Sequence, residues 1–257
     1  MLCFIRRAAL FAVAVFWSLA ALAATPAGES AASPSPPATA SAATNKPASP
    51  RLAPGFQFLP RNEQLLIMPI DVELFSLSAG GLSEPKADWT AAAQEHMRSA
   101  LLAMQARVMP KAVLMSERDA DDFAEQVSLH AAVATSISLH HARGGMFALP
   151  TKEQQLRWNV GDAMQPLRAK TGARYGLFVW VRDSYASAER KAAMVAMALF
   201  GVAVMGGMQT GYASLVDLQT GDVLWFNQLL RGSGDLREAE SARETVQALL
   251  QDFPALR

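Results

Sequence analysis

The chain has 257 residues, with 23 basic and 23 acidic side chains and a formal net charge of zero. Setting aside Arg6, Arg7, Lys46, Arg51 and Glu29 leaves 19 basic against 22 acidic residues, a net charge of −3 for the remainder. That balance argues against a nucleic-acid binder, which carries a basic excess or stripe, and it leaves no polybasic patch.

The amino end has the three parts of an export signal. Arg6 and Arg7 form a positive n-region, Ala8 to Ala20 is uncharged and apolar, and Ala21-Leu22-Ala23 is a small-x-small cleavage pattern. Residues 1–23 are therefore expected to be a signal peptide for the ordinary secretory route, with the mature chain in the periplasm. The apolar run is short for a membrane span, which weighs against an uncleaved anchor. The only cysteine, Cys3, lies inside this segment and none stands at Ala24. A mature protein with neither lipid anchor nor disulfide is the expectation.

Residues 25–54 are nearly all Ala, Pro, Ser and Thr, with Glu29, Lys46 and Arg51 the only charges. Such a composition cannot bury enough apolar surface to offset ordering, so 24–54 reads as a disordered linker. About 200 residues remain, expected to fold as one domain over 55–257.

Leu65 to Phe75 reads as a strand, an apolar run that passes into alternation. A helix follows, capped by Asp88, with Trp89, Ala93, Met97, Ala100, Leu101, Met104 and Val108 as its stripe and Pro110 as its stop. Ala112 to Met115 is a short strand. Ser116 and Asp119 cap a second helix with Phe123, Val127, Ala131 and Ala134 inward, closed by Arg143-Gly144-Gly145. Asp162 to Lys170 is a third helix with Gly172 at its end. Tyr175 to Val181 is the richest strand, and Ala188 to Met205 a helix apolar on all sides. Tyr212 to Leu218 and Val223 to Leu229 form a hairpin about Gln219-Thr220-Gly221-Asp222. Asp235 and Glu238 cap a last helix with Ala242, Val246, Leu249 and Phe253 on one face. This order predicts an α/β fold: one domain, a mixed and mostly parallel sheet of 4–5 strands, a C-terminal hairpin and flanking helices.

Three stretches carry a resemblance: MPIDVELFSLSAGGLSEPKADWT (68–90), TGARYGLFVWVRDSYAS (171–187) and GYASLVDLQTGDVLWFNQLLRGSGDLR (211–237). Together they resemble an uncharacterised family of exported Gram-negative proteins. More loosely they are similar to the envelope α/β domains of CsgG-like curli-secretion lipoproteins and the TolB amino terminus. The resemblance implies fold and compartment but no activity. A lipid-bearing cysteine and amphipathic strand pairs are both missing, so a secretion pore is not expected.

No motif for catalysis, metal, cofactor or nucleotide emerges. His130 and His141 fall near one helical face, with His140 beside them, but the i, i+4 spacing and the carboxylate or cysteine of a metal site are lacking. Asp71 and Glu73 share one face of the first strand, a separation open to acid–base work and equally to a solvated face. Ser78-Ala79-Gly80-Gly81 follows a strand, where amides can gather an anion, but Glu84 and Asp88 oppose one. Arg182, Asp183, Ser184 and Tyr185 are expected in a loop at the carboxyl end of their strand, sharing that edge with Ser78, Gly80 and Gly81. The Thr220-Gly221 turn is expected there too. This is the candidate ligand or interaction edge. Ser184 has no histidine at a motif spacing and is not assigned as a nucleophile.

Ala192 to Met208 carries no charge. Two roles compete for it: a buried crossover helix, favoured by an apolar circumference, and an interface using Met194, Met197, Leu199, Phe200 and Met205. The expected function is a non-enzymatic envelope accessory protein that binds an envelope protein or the membrane surface, with homo-oligomers open to it and no nucleic acid or cofactor. The alternative is a small-ligand-binding or hydrolytic periplasmic domain that uses the carboxyl edge.

Overall fold

The computed structural model describes residues 49–108 and 111–257, the side chains of 106–108 excepted. The expected signal peptide, most of the expected linker and the Pro110 helix stop lie outside the described residues.

The first predicted strand is present but interrupted. Strand β1 is Leu65–Ile67 and strand β2 is Asp71–Leu77. The break holds Pro69, which has no amide to give to a ladder. The chain needs one residue more from Ile67 to Asp71 than its neighbour needs from Leu177 to Trp180, so the break is a bulge. Beyond it come β3 (Ser83–Pro85), α1 (Ala87–Val108), β4 (Ala112–Leu114), α2 (Glu117–Asp121) and α3 (Ala124–Ile137). Ser116 caps α2, its Oγ accepting from the Asp119 amide at 3.1 Å. Next are α4 (Gln165–Thr171), β5 (Tyr175–Ala186), α5 (Ala188–Ala198), β6 (Gln209–Asp217), β7 (Val223–Arg231) and α6 (Ala239–Leu249). Gly172 ends α4 at φ +72°, the left-handed cap that glycine takes without strain.

Strand β5 is the spine of the sheet. On one side it pairs in parallel with β1 along its first residues and with β2 along its last. Outside these lie β4, parallel to β1, and β3, antiparallel to β2. On the other side β6 and β7 follow as an antiparallel hairpin. The fold is α/β, with a mixed, mostly parallel sheet, flanking helices and C-terminal strands.

Alternation along the strands builds two cores. Val72, Leu74, Val181, Leu215 and Trp225 face α1 and α6, where Met97, Leu101, Val246 and Leu249 meet them. Met68, Phe178, Tyr212, Val216 and Phe226 point the other way, against Phe123, Ala134, Ile137 and Leu167.

Three expectations fail. The helix predicted for 188–205 stops at Ala198, and β6 returns antiparallel to β5, so α5 is no crossover. Val195, Leu199 and Val202, which the crossover role would bury, are 67%, 82% and 43% exposed. The physical reason is that both sheet faces are already covered, and a chain returning antiparallel has no face to cross. The second failure is the linker boundary. Arg51–Ala53 lies along β7: the Ala53 amide donates to the Leu224 carbonyl at 2.9 Å, and the Phe226 amide to the Arg51 carbonyl at 3.0 Å. Composition hid this because backbone groups do the pairing. Third, Asp235 does not cap α6, which has no side-chain cap; Asp235 binds Arg237 instead. The last residues return to the same side as Arg51: Leu59 pairs with Leu256, and Arg51 Nη1 meets Asp252 Oδ2 at 2.7 Å.

Candidate functional site

Strand β5 runs five residues further than predicted, so Arg182 to Tyr185 are strand rather than loop. Pleating then sends them to opposite faces. Arg182 sits opposite Glu73 in register, its Nη1 2.6 Å from Asp71 Oδ1 and its Nε 3.3 Å from Glu73 Oε2, with its guanidinium over Trp180. Asp71 and Glu73 therefore do share a face, as half-exposed partners of one arginine. Such a pair stabilises little.

Asp183 and Tyr185 point to the other face and are joined there. Asp183 is 2% exposed. Its Oδ2 accepts from the Tyr185 hydroxyl at 2.5 Å and from Gln209 Nε2 at 2.6 Å, and its Oδ1 from the Ser184 amide at 2.8 Å. Burial pushes the Asp183 carboxyl up, while these three donors pull it back down. Burial, and then the Asp183 carboxylate, pushes the Tyr185 phenol up as well. The Tyr185 oxygen in turn accepts from the Leu236 amide at 2.7 Å.

The network continues through Gln209, the first residue of β6. Gln209 Oε1 accepts from Arg231 Nε at 2.8 Å and lies 3.1 Å from Thr245 Oγ1, which also reaches the Ser241 carbonyl at 2.8 Å. Arg231 Nη2 donates to Thr245 Oγ1. Nearby, Arg237 lies over the rings of Trp89 and Tyr185, with Asp235 held by its fork. Arg237 keeps the Asp235 carboxyl below its ordinary range against the opposing effect of burial. Gln209, Arg231, Arg237 and Thr245 were not singled out by sequence. The β5–β6 register sets Gln209 opposite Asp183, the β6–β7 register sets Arg231 opposite Gln209, and α6 brings Thr245 to both.

An open pocket of about 290 Å³ adjoins this network, with Asp183, Tyr185, Lys191, Met194, Gly207 and Arg237 among its walls. Arg182 is not among them.

No family model matches the chain, and no curated protein matches it. Among solved structures the chain is similar to a PelC dodecamer from Paraburkholderia phytofirmans, at 13% identity over 79% of this chain and 94% of that one, with a TM-score of 0.36. It is also similar to lipoprotein GNA1162 from Neisseria meningitidis, at 12% identity over 67% and 81%, TM-score 0.27. A third is the LpoB C-terminal domain from Escherichia coli, at 16% identity over 66% and 82%, TM-score 0.25. At these values the likeness carries neither function nor assembly over to this chain. The finer resemblance to CsgG-like and TolB domains finds no support among the matches.

The Ser78–Gly81 loop does meet β5's carboxyl end: the Ser187 amide donates to the Leu77 carbonyl at 2.9 Å, and Arg190 Nη1 to the Ser78 carbonyl at 3.3 Å. It is a hairpin turn into β3, and the Ser78, Gly81 and Leu82 amides are used within it. Gly81 N donates to the Ser78 carbonyl and Leu82 N to Ser78 Oγ. Gly81, at φ +84°, serves the turn rather than an anion. The Thr220-Gly221 turn lies at the opposite edge, because Asp217 pairs with Tyr175 at the start of β5. An antiparallel β6, where a parallel one was expected, accounts for that displacement.

The histidines separate. His130 is 2% exposed and stacks on Phe178 at 3.9 Å, its Nε2 without a hydrogen-bond partner, and burial lowers its pKa to about 3. His140 Nδ1 lies 2.8 Å from the Phe147 carbonyl and His141 Nε2 2.7 Å from the Pro50 carbonyl. Among the described residues, no group of three metal-ligating side chains forms.

The excursion between β5 and β6 is the other feature of this edge. Leu199 and Phe200 are 82% and 83% exposed, with Met197 and Met205 exposed as well. Arg190 and Met194, one helical turn apart, are the half-buried residues of α5. The return is secured by Arg190, whose Nε and Nη2 donate to the Met205 carbonyl at 3.3 and 3.0 Å. At Gly207 a Cβ would stand 1.9 Å from the Ser184 carbonyl oxygen, so only glycine lets the strands close there.

Proposed function

We propose that this chain is a non-enzymatic accessory protein of the cell envelope that docks through the uncharged excursion Ala192–Met208. The observation that carries this reading is the exposure of Val195, Leu199, Phe200 and Met205 on one segment without a charge. Scattered apolar side chains are ordinary at a surface, whereas a contiguous group of this kind marks a site of contact. The export signal expected at residues 1–23 supports an envelope location, with a processed chain beginning at Ala24 in the periplasm and a linker over most of 24–54.

The ligand-binding or hydrolytic alternative has less behind it. The side chains at the head of the open pocket already satisfy one another. Asp183, the buried carboxylate, spends its lone pairs on Tyr185, Gln209 and the Ser184 amide.

Changing Leu199 to Asp tests the proposal. The variant should keep its circular dichroism spectrum and melt as the parent does, yet move from the envelope fraction to the soluble one. A variant that unfolds would return this residue to a core, and one that keeps every association would remove the excursion as the docking surface.

A further inference from the structure

We infer that the occupant of this surface is a lipid bilayer, entered from one side by the tip of the excursion; the inference rests on the docking reading above. Three observations carry it. The first is that the apolar surface runs around the helix rather than along one stripe. With 3.6 residues per turn, Val195 and Met197 stand on opposite sides of α5, and Leu199 and Phe200 follow just past its end at Ala198. All four are exposed. A protein partner covers one face of a ridge, whereas hydrocarbon surrounds it. An 11-residue helix in which only Arg190 and Met194 are half-buried is also marginal in water, and an apolar surrounding supplies what it lacks.

The second observation is the charge at the base. Arg190 and Lys191 follow Glu189 in the first turn of α5, after which no charge occurs until Asp217. Of the other charges at this edge, Asp235 pairs with Arg237 and Glu84 with Lys86, while Asp183 is buried beneath neutral donors and away from the surface. The collar is therefore net positive where anionic headgroups would lie, with the apolar tip beyond it.

The third is the backbone. No helix among the described residues is long and apolar enough to cross a membrane. Residues 202–208 are irregular, and free peptide groups are not tolerated in hydrocarbon. The tip therefore rests at the boundary of headgroups and acyl chains, about 5–10 Å deep, as a one-sided anchor.

The test uses the chain as recovered from cells, with Cys3 changed to Ser and vesicles of phosphatidylethanolamine and phosphatidylglycerol in equal parts. An environment-sensitive fluorophore on Leu199→Cys should shift its emission to the blue on adding vesicles, while the same label on Met146→Cys should not. Met146 is 91% exposed and lies in another part of the fold. Leu199→Ser with Phe200→Ser should lower vesicle binding at least about tenfold while leaving circular dichroism unchanged. Lys191→Glu should lower it less, and only on anionic vesicles. No shift at Leu199, or equal binding by the double variant, overturns the lipid inference. If cell fractionation still depends on Leu199 in that event, the docking surface stands with a protein occupant. A dimer that forms without vesicles and is lost in the double variant would instead make the occupant a second copy.

Discussion

Two regions that meet at Met208 and Gln209 reverse the usual placement of side chains. On one side of that junction Asp183, Gln209 and Thr245 are buried; on the other Leu199, Phe200 and Met205 face water. The difference lies in whether each group has its partners. Asp183 holds three donors and Gln209 uses both ends of its amide, so burial leaves them with nothing unsatisfied. Among the described residues, nothing covers Leu199, Phe200 or Met205. Polarity alone predicts neither location, and completeness of partners predicts both.

His130 is the strictest test of that comparison, because it is buried with Nε2 unpartnered. Its pKa falls from 6.5 to about 3 on folding, so the folded imidazole stays neutral while the unfolded one charges. The contribution is whole above pH 6.5 and is lost as the pH falls toward 3. Each pKa unit corresponds to about 1.4 kcal/mol, which makes the loss several kcal/mol. Urea titrations at a series of pH values should show this acid-side slope in the parent chain and its absence in His130→Leu. Equal slopes would mean that the imidazole is hydrated in the folded protein.

The next effect belongs to Gln209. Gln209→Leu removes one donor from Asp183 and the shared acceptor of Arg231 and Thr245, leaving a buried charge underpaired. A destabilisation of about 3 kcal/mol is expected from the urea midpoint. A change near zero would show that water replaces the amide and that the network is not closed.

The smallest effect is expected at the excursion. Leu199→Ser with Phe200→Ser should alter stability by less than about 0.5 kcal/mol, since both side chains are already in solvent. A loss as large as that of Gln209→Leu would erase the contrast between the two regions.

Much of the architecture was legible in the sequence. The strands at Leu65, Tyr175, Tyr212 and Val223, the helix stripe from Trp89 to Met104 and the Gly172 stop depend on local pattern, and the fold contains them. What stayed hidden depends on partners far along the chain. The continuation of β5 through Arg182–Ala186 reads as polar loop because its side chains are polar; its backbone is held by β2 and β6, which no window around residue 182 contains. The direction of β6 is a second case. A run as apolar as Ala192–Met208 suggests a crossover, and only the pairing of Asp183 with Gln209 reveals a return on the same edge. The site was legible in part. Asp183 and Tyr185 were named, but with Arg182, which faces away, and without Gln209, Arg231 and Thr245, whose meeting depends on strand register and on the packing of α6.

The pairing of Leu59 with Leu256, together with the Arg51–Asp252 bridge, makes the folded chain almost a ring. The first and last described residues lie against the same part of the molecule, so a short join between them adds little loop entropy and leaves every sheet connection in place. New ends could then be opened in the exposed Gly145–Phe147 turn, which carries no strand. A circular permutant cut there would keep the sheet, the buried network and the excursion, with its chain ends far along the sequence from Leu199. The order in which the elements are synthesised is thus separable from the shape they make.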